Sequence, residues 1–465
     1  MTSHQDPAGT AAPAAGEGPA EEAGGSVPPG AASPVSSGSA GAAAQAESVV
    51  PDPPHLATLE LAYVPQEQYE DYSRAVARGF QAEMPDEIIA VERGLHEPDR
   101  FFGYRAGQRW VATFGAYSRQ LTVPGGARVP VAAITAVTVQ PPYRRRGLLG
   151  RMMLHQLQDS ERRGEAIAVL WASEAPIYGR FGFGQAVPRL RLSGQTRSTT
   201  FRRGVDLGAG SVDEVSREQY LALAPAVHDA VAAGRPGGLD RPAKWWPQTV
   251  NDPAAWRGKA TPWRFVVCYD AAGAVGGHAT YRFTDDYDHH GPKGHVTIGE
   301  VEATSPVSYA RLWRYLLDLD LVRSFRKQNA ALDDPLRHLV ADSRSVYAEG
   351  ADGLYLRVVD VREALLARRY STEVDVAIEV IDPLLDHNTA TYTLINGPDG
   401  ARVRRSRRRP DLSLDIRELG AVYLGGPTLL ELQAAGLVAE HVSGSVAAAS
   451  AAFRGERAPF CTDLF

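Results

Sequence analysis

The stretch PPYRRRGLLGRMML, Pro141–Leu154, places three arginines and a glycine directly before an apolar run. The residues before it, VPVAAITAVTV, are typical of a β-strand, and GLLGRMMLHQLQDSERRG carries apolar residues at helical spacing. The segment EAIAVLWAS that follows is typical of a buried strand. From Ile134 to Ser173, the order strand, arginine loop, helix and strand predicts an α/β unit with a crossover helix.

The loop between this strand and this helix is suited to bind an anion. A helix N-terminus carries a partial positive charge and exposes backbone N–H groups. Gly147 allows a ligand to approach the backbone closely, and the arginines at positions 144 to 146 can add charge-assisted bonds to phosphate. The loop has neither the G-K-[ST] of a Walker loop nor the G-x-G-x-x-G of a Rossmann fold. It therefore predicts a pyrophosphate cradle of another kind.

The composition limits the classes of protein that the chain can belong to. It has 465 residues and a formal net charge of -6, whereas nucleic-acid-binding proteins are more often basic. Its two cysteines are too few for a disulfide framework or a zinc site. No apolar stretch approaches the length of about 18 residues that spans a membrane, and no Lys or Arg precedes residue 74 as a secretory signal would require. These features predict a soluble cytoplasmic protein that contacts no membrane.

Changes of composition and pattern divide the chain into four parts. Residues 1–54 are rich in Ala, Gly, Pro and Ser and contain no aromatic residue, which predicts a disordered tail. Residues 55–195 hold the α/β unit described above. Residues 196–345 repeat its order, with HVTIGEVEATSP and then VSYARLWRYLLDLDLV, but lack an arginine-glycine loop and so predict a degenerate copy. Residues 346–465 alternate predicted strands and hairpins, then end in two helices and the short tail APFCTDLF.

Two motifs in residues 55–195 resemble those of a known family. VTVQPPYRRRGLLG resembles the acetyl-CoA loop R/Q-x-x-G-x-G/A of the GNAT acetyltransferases, with Leu149 where Gly or Ala is usual. Together with ASEAPIYGRFGFG, it is similar to the Eis-like (enhanced intracellular survival) N-acetyltransferases. The resemblance extends over nearly all of the chain after residue 55. It implies an α/β (α+β) protein with tandem GNAT domains, the second one degenerate, followed by a sterol-carrier-protein-like α+β domain. It also implies a homo-oligomer, a hexamer.

The same resemblance implies roles for individual residues. The residues that it places around acetyl-CoA are Val137, Thr138 and Val139 at the pantetheine and thioester, Arg145, Arg146, Gly147, Leu148, Leu149 and Gly150 at the pyrophosphate, and Ser173 and Glu174 beside the cofactor. Tyr178 corresponds to the general acid that protonates the departing thiolate. The base of the family is the C-terminal carboxylate, here that of Phe465.

Three features leave alternatives open. Glu174 is a second candidate for the base, because carboxylates often have this role. RVRRSRRRP, Arg402–Pro410, follows a turn and predicts an exposed strand, which is either a solvated edge that discourages strand pairing or a site for an acidic partner or nucleic acid. DDYDHHGPKGH, Asp285–His295, contains carboxylates and imidazoles without a fixed ligand spacing, so we predict no metal.

The sequence thus predicts an acetyl-CoA-dependent N-acetyltransferase that acts on a primary amine of aminoglycoside, polyamine or lysine type by direct transfer. The alternative is a non-catalytic protein that binds or carries acyl-CoA or lipid. Tyr178 and Phe465 favour the enzyme, because a carrier needs neither residue. Nucleic-acid binding through Arg402–Arg409 is disfavoured by the acidic net charge.

Overall fold

The computed structural model of the protein describes residues 58–465, so the tail predicted for residues 1–54 lies outside the described residues. The strands are β1 Glu60–Tyr63, β2 Phe101–Ala106, β3 Arg109–Thr122, β4 Arg128–Val139, β5 Ile167–Trp171, β6 Gly184–Gln195, β7 Ser211–Val215, β8 Arg264–Tyr269, β9 Val275–Thr284, β10 Tyr287–Asp288, β11 Gly291–Pro292, β12 Gly294–Ala303, β13 Val322–Ala330, β14 Val346–Val358, β15 Val374–Ile381, β16 Ala390–Gly397, β17 Gly400–Ser406, β18 Leu412–Asp415 and β19 Val438–Glu440. The helices are α1 Tyr69–Gly79, α2 Asp86–Arg93, α3 Leu148–Arg162, α4 Ala175–Tyr178, α5 Arg217–Ala233, α6 Trp246–Thr249, α7 Ala254–Arg257, α8 Pro306–Leu317, α9 Leu336–Leu339, α10 Val361–Ala367, α11 Ile416–Val422, α12 Leu429–Ala434 and α13 Ser445–Phe453.

Twelve strands form one continuous sheet in the order β1-β2-β3-β4-β5-β14-β6-β13-β12-β9-β8-β7. β4 and β5 are parallel neighbours joined through α3, which confirms the predicted crossover unit. β12 and β13 are also parallel neighbours and are joined through α8. The predicted α/β unit therefore occurs twice, once in each half of the sheet.

The boundaries of α3 follow from glycines and from its apolar face. Gly147, directly before the helix, has a φ of 80°, which lies in the left-handed region that glycine adopts without steric cost. Gly164, just after the helix, has a φ of 72°. The apolar residues that recur at helical spacing on α3 are buried: Leu148, Met152, Met153 and Leu157. These residues pack α3 against the sheet and fix where its N-terminus lies.

β4 parts from β5 halfway along its length. The parallel pairing between the two strands ends at the pair Ile134 and Leu170. On its other edge, β4 has a bulge against β3, where the register shifts between Thr113 and Gly115. Ala136 in this bulge has a φ of 54°, and its carbonyl accepts a hydrogen bond from the Thr113 hydroxyl at 2.8 Å. The last residues of β4 therefore diverge from β5 and leave an opening between the strands.

The second half of the sheet has the same divergence but a different loop. The pairing of β12 with β13 ends at Ile298 and Lys327, and a bulge against β9 follows Ile298. Only Thr304 and Ser305 connect β12 to α8, and the Ser305 hydroxyl caps the helix. This half retains the diverging strands and lacks the long arginine-containing connection that precedes α3.

A second sheet, in the order β17-β16-β15-β18-β19, belongs to the C-terminal part of the chain. Arg402–Ser406 lies in the edge strand β17, which agrees with the exposed strand predicted for this basic run. Arg408, just beyond the strand, forms ion pairs with Asp375 and Asp411. Charged residues on an exposed edge are the usual means by which a sheet avoids pairing with another chain.

The strand β14 belongs to a different sheet from the one that its position in the sequence suggests. β14 was expected at the start of the third part, but it lies between β5 and β6 in the large sheet. Leu354, Leu356 and Val358 on one face of the strand and Tyr355 and Arg357 on the other are all buried, as is usual for a central strand covered on both faces. The C-terminal sheet therefore begins with β15, although the predicted division of the chain into domains stays a prediction. Within residues 58–465, none of the helices has the length and apolar character needed to cross a membrane.

Candidate active site

A groove of about 850 Å³ lies at the diverging end of β4. Most of the residues predicted to contact the cofactor line it: Val137, Thr138, Val139, Arg145, Gly147, Leu148, Leu149, Gly150, Ser173 and Glu174. Arg146 is not among the lining residues, and its guanidinium lies 5.5 Å from the centre of the Tyr143 ring. The structure thus brings the predicted set together around one groove, with Arg146 beside it.

The loop before α3 has the features of an anion site. No side chain caps the N-terminus of α3, so its backbone N–H groups are not bonded by a capping residue. A Cβ atom at Gly147 would meet no protein atom within 4 Å, which leaves space in front of the helix. Arg145 is exposed beside this space, with a φ of 59°. An anion in this position would meet both the helix dipole and the Arg145 guanidinium.

Arg144 lines the groove and also forms hydrogen bonds within the protein. Its Nε donates a hydrogen bond to the Val139 carbonyl at 2.9 Å, and its terminal nitrogen donates to the Gly79 carbonyl at 3.2 Å. Arg144 thus ties the loop to the end of β4 and to the end of α1. Gly79 is needed at this contact, because a Cβ atom there would lie 2.4 Å from the side chain of Thr138.

A smaller cavity of about 270 Å³ adjoins the groove. Phe80, Val137, Ser173 and Tyr178 line both spaces. The other walls of the cavity are largely aromatic, with Tyr69, Tyr72, Phe101, Tyr117, Trp171 and Phe465. We name this cavity the acceptor pocket, because it meets the groove at the position predicted for the chemistry.

Tyr178 is held at the junction of the two spaces by the short helix α4. Its side chain is buried and packs edge-on against Phe183, with 6.1 Å between ring centres. Burial raises the pKa of Tyr178 above its usual value of 10, a hydrogen bond with Ser173 opposes the rise, and the nearby Glu174 carboxylate adds to it. The phenol is therefore protonated at neutral pH, as a proton donor must be.

The C-terminal tail reaches the acceptor pocket. Phe465 is one of the lining residues of the pocket, whereas Glu174 lines only the groove. The Trp171 indole donates a hydrogen bond to the Asp463 carbonyl at 2.9 Å, and the Asn329 amide donates to the Cys461 carbonyl at 3.0 Å. Because Trp171 ends β5 and Asn329 lies near the end of β13, the tail bridges the diverging strands of both halves.

The buried carboxylate of Asp463 fixes this tail in place. Arg241 approaches one of its oxygens at 3.0 Å and Arg119 approaches the same oxygen at 3.5 Å, and the three side chains are almost fully buried. Burial alone would raise the pKa of Asp463, but Arg241 and Arg119 outweigh it and hold the pKa below the usual range. The tail is therefore anchored by charge, two residues before Phe465.

A cluster of His278, Glu300 and Glu302 brings potential metal-ligand atoms within 4.8 Å of one another. These atoms already have protein partners. Arg241 approaches Glu300 at 2.8 Å, while Glu302 lies 3.1 Å from His228 and 3.2 Å from His278. Burial alone would lower the pKa of His228, but the hydrogen bond to Glu302 outweighs it and the pKa is raised. The cluster is best explained as part of the charge network around Asp463.

Sequence reasoning missed several residues of this site. Asp463 gave one signal, since it is a carboxylate in the otherwise apolar tail APFCTDLF. The other three residues show no motif and lie far apart in the chain: Arg119, Arg241 and Glu92. Of these, Glu92 lines the acceptor pocket. Their proximity depends on long-range strand and helix packing, which no local pattern reveals.

Comparison with known families agrees with this architecture. Residues 60–186 match a model described as an acetyltransferase (GNAT) domain, and residues 237–358 match a second model with the same description. Residues 361–462 match a sterol carrier protein domain. The fold is therefore two GNAT domains followed by a sterol-carrier-protein-like domain, as predicted.

Individual relatives point to one branch of these enzymes. A protein of Streptomyces avermitilis, described as an uncharacterized N-acetyltransferase, is 40% identical over 372 residues, which are 79% of this chain and 89% of the relative. The N-acetyltransferase Eis of Mycobacterium tuberculosis is 32% identical over 326 residues, 68% of this chain and 76% of the relative. The crystal structure of Eis1 from Mycobacterium abscessus is 33% identical and superposes with a TM-score of 0.75, over 87% of this chain and all of that one.

The Asp463 anchor predicts a pH-dependent loss of stability. Asp463→Asn should lower the free energy of unfolding at pH 7 by about 3–5 kcal/mol, because buried arginines lose a counter-charge. The folded-state pKa is below the unfolded value of about 3.9, so the stabilisation is present above that pH and is lost as the pH falls through the folded-state pKa. Chemical denaturation between about pH 2 and 7 measures this, because the range must extend below the folded-state pKa. Glu456→Gln, in an exposed part of the tail, is the control. An equal deficit for Asp463→Asn at both ends of the pH range would contradict the assignment.

Proposed function

The chain belongs to the Eis-like family of GNAT N-acetyltransferases, and from this we propose that it transfers the acetyl group of acetyl-CoA directly to a primary amine. The observation that carries the proposal is the position of Tyr178, which lines both the groove and the acceptor pocket. Aminoglycosides, polyamines and lysine side chains are the acceptor classes that the resemblance suggests. A homohexameric assembly is proposed on the same resemblance, and a cytoplasmic location on the composition of the sequence.

The groove has the properties that acetyl-CoA requires. Arg145 and the uncapped N-terminus of α3 offer positive charge and N–H donors for the pyrophosphate. Residues 137–139 follow the end of the β4–β5 pairing, so their edge is available to the pantetheine amides. Ser173 and Glu174 form the opposite wall. When bound, acetyl-CoA would supply the thioester whose acyl group is transferred.

The protein side chains provide the two proton transfers that the reaction needs. As the amine nitrogen bonds to the acyl carbon, its proton passes to a base, for which we propose the terminal carboxylate of Phe465. As the carbon–sulfur bond breaks, the Tyr178 hydroxyl gives its proton to the departing thiolate. Glu174 is the less suitable base, since it lines the cofactor groove and not the acceptor pocket.

The cofactor site predicts how two variants bind acetyl-CoA. Gly147→Val should abolish binding, because the new side chain would occupy the open space before α3 and valine is strained at the φ of 80° there. A melting temperature close to that of the wild type shows that the rest of the fold persists. Arg145→Ala should weaken binding by about 1.5–3 kcal/mol, the contribution of a hydrogen bond to a charged group. Isothermal titration calorimetry measures both. Affinity equal to that of the wild type in both variants would place the cofactor elsewhere.

Tyr178→Phe should lower kcat by roughly 10²–10⁴-fold and leave acetyl-CoA affinity nearly unchanged, because it removes the proton donor and keeps the ring. Thiol release from acetyl-CoA in the presence of an amine gives the rate. If the variant turned over as fast as the wild type, Tyr178 would be a structural core residue.

A wild-type protein that binds acetyl-CoA but releases no thiol with any amine would support the carrier alternative.

Deleting Phe465 should reduce turnover severely, because the terminal carboxylate retreats by about 3.5 Å along the chain. A C-terminal affinity tag should have the same effect, whereas Phe465→Leu keeps the carboxylate and should be tolerated far better. The same thiol-release assay compares the three proteins, with an N-terminally tagged enzyme as the control. Full activity of the C-terminally tagged protein would exclude the terminus as the base and favour Glu174.

A further inference from the structure

Glu92 places a partly buried carboxylate in the wall of the acceptor pocket. It lies near the end of α2, and its Oε2 accepts a hydrogen bond from the Tyr69 hydroxyl at 3.3 Å. Glu92 is the one charged side chain among the residues that line the pocket. In the part of the chain that the structure describes, no Lys, Arg or His forms an ion pair with it.

A carboxylate that is partly buried without a cation is less favourable than one in water, since a hydroxyl group replaces only part of its hydration. Partial burial raises the pKa of Glu92, and the hydrogen bond from Tyr69 counters only part of the rise. The neighbouring Arg93 pairs with Glu70 instead. An ammonium group that enters the pocket would supply Glu92 with a counter-charge.

The size and walls of the pocket limit what can enter. A cavity of about 150 Å³ holds one benzene molecule, so the pocket, at about 270 Å³, holds one ring with short side arms. Rings such as Tyr117 and Trp171 form its walls, which suits an aromatic body and cations packed on ring faces. An aminoglycoside has several rings and several ammonium groups, and it would need more space and more carboxylates than Glu92 and the terminus supply.

We propose that the acceptor is a small diamine with one aromatic ring, held by Glu92 at one ammonium group while the other amine faces Tyr178. The inference rests on the proposed acetyl transfer and specifies its substrate class. Glu92 then determines specificity: it contacts the substrate at a distance from the reacting nitrogen and takes no part in the proton transfers.

The test uses p-xylylenediamine, benzylamine and the aminoglycoside tobramycin as acceptors in the thiol-release assay. The wild-type enzyme should have the highest kcat/KM with the diamine. Glu92→Gln should lower kcat/KM for the diamine by roughly 10- to 100-fold, mainly through KM, because it removes a charged hydrogen bond. The same variant should leave benzylamine, which has no second cation, within about twofold of the wild-type rate.

Glu87→Gln is the matched control, since it removes the same charge from an exposed position on α2. Melting temperatures of both variants show that they are folded. A higher kcat/KM with tobramycin than with the diamine would overturn the inference while leaving acetyl transfer intact. An equal loss with benzylamine and the diamine in Glu92→Gln, or no loss with either, would overturn the role of Glu92. Failure of the wild type with every amine would contradict the proposed acetyl transfer itself.

Discussion

The divergence of β4 from β5 after Ile134 is the constraint on which the candidate site depends. Two parallel strands that remain paired leave no room for a ligand between their ends. Here, a bulge against β3 and the left-handed backbone of Ala136 turn the end of β4 away, and the Thr113 hydroxyl holds the turned segment. The groove and the acceptor pocket both border this opening, and Val137 lines both. The arginine loop and α3 then place an anion site at one end of it.

The second half of the sheet supports this site rather than repeating it. Its short connection, Thr304 and Ser305, lacks the glycine and arginines that precede α3. It contributes instead Asn329 to the C-terminal tail and Arg241 to the carboxylate of Asp463. These contacts hold Phe465 at the pocket of the first half. A domain that has lost the arginine loop thus helps to complete the site of the other.

The local part of this architecture could be predicted from the sequence, and the long-range part could not. The strand, loop and helix around Gly147 could be predicted because glycine, arginine and apolar spacing act within a few residues of one another. The groove residues were predicted from the resemblance of two motifs to a known family. The contact of Arg144 with Gly79, the place of β14 and the charge network of Asp463 could not be predicted, because each depends on partners that are distant in the chain. The pocket carboxylate Glu92 had no motif and emerged only from its position in the pocket wall.

The insertion of β14 between β5 and β6 has an evolutionary consequence. Two strands of the first half, β5 and β6, pair with β14, which follows the second half in the chain. A duplicated domain that has lost its ligand loop would ordinarily be free to disappear by deletion. A deletion that extended through β14 would remove the strand that joins β5 to β6, whereas one that ended before β14 would leave Gly194 and Val346 paired and close enough for a short turn. The shortened chain would expose the edge of β6 that β13 now covers, so the second half protects the first from pairing with other chains.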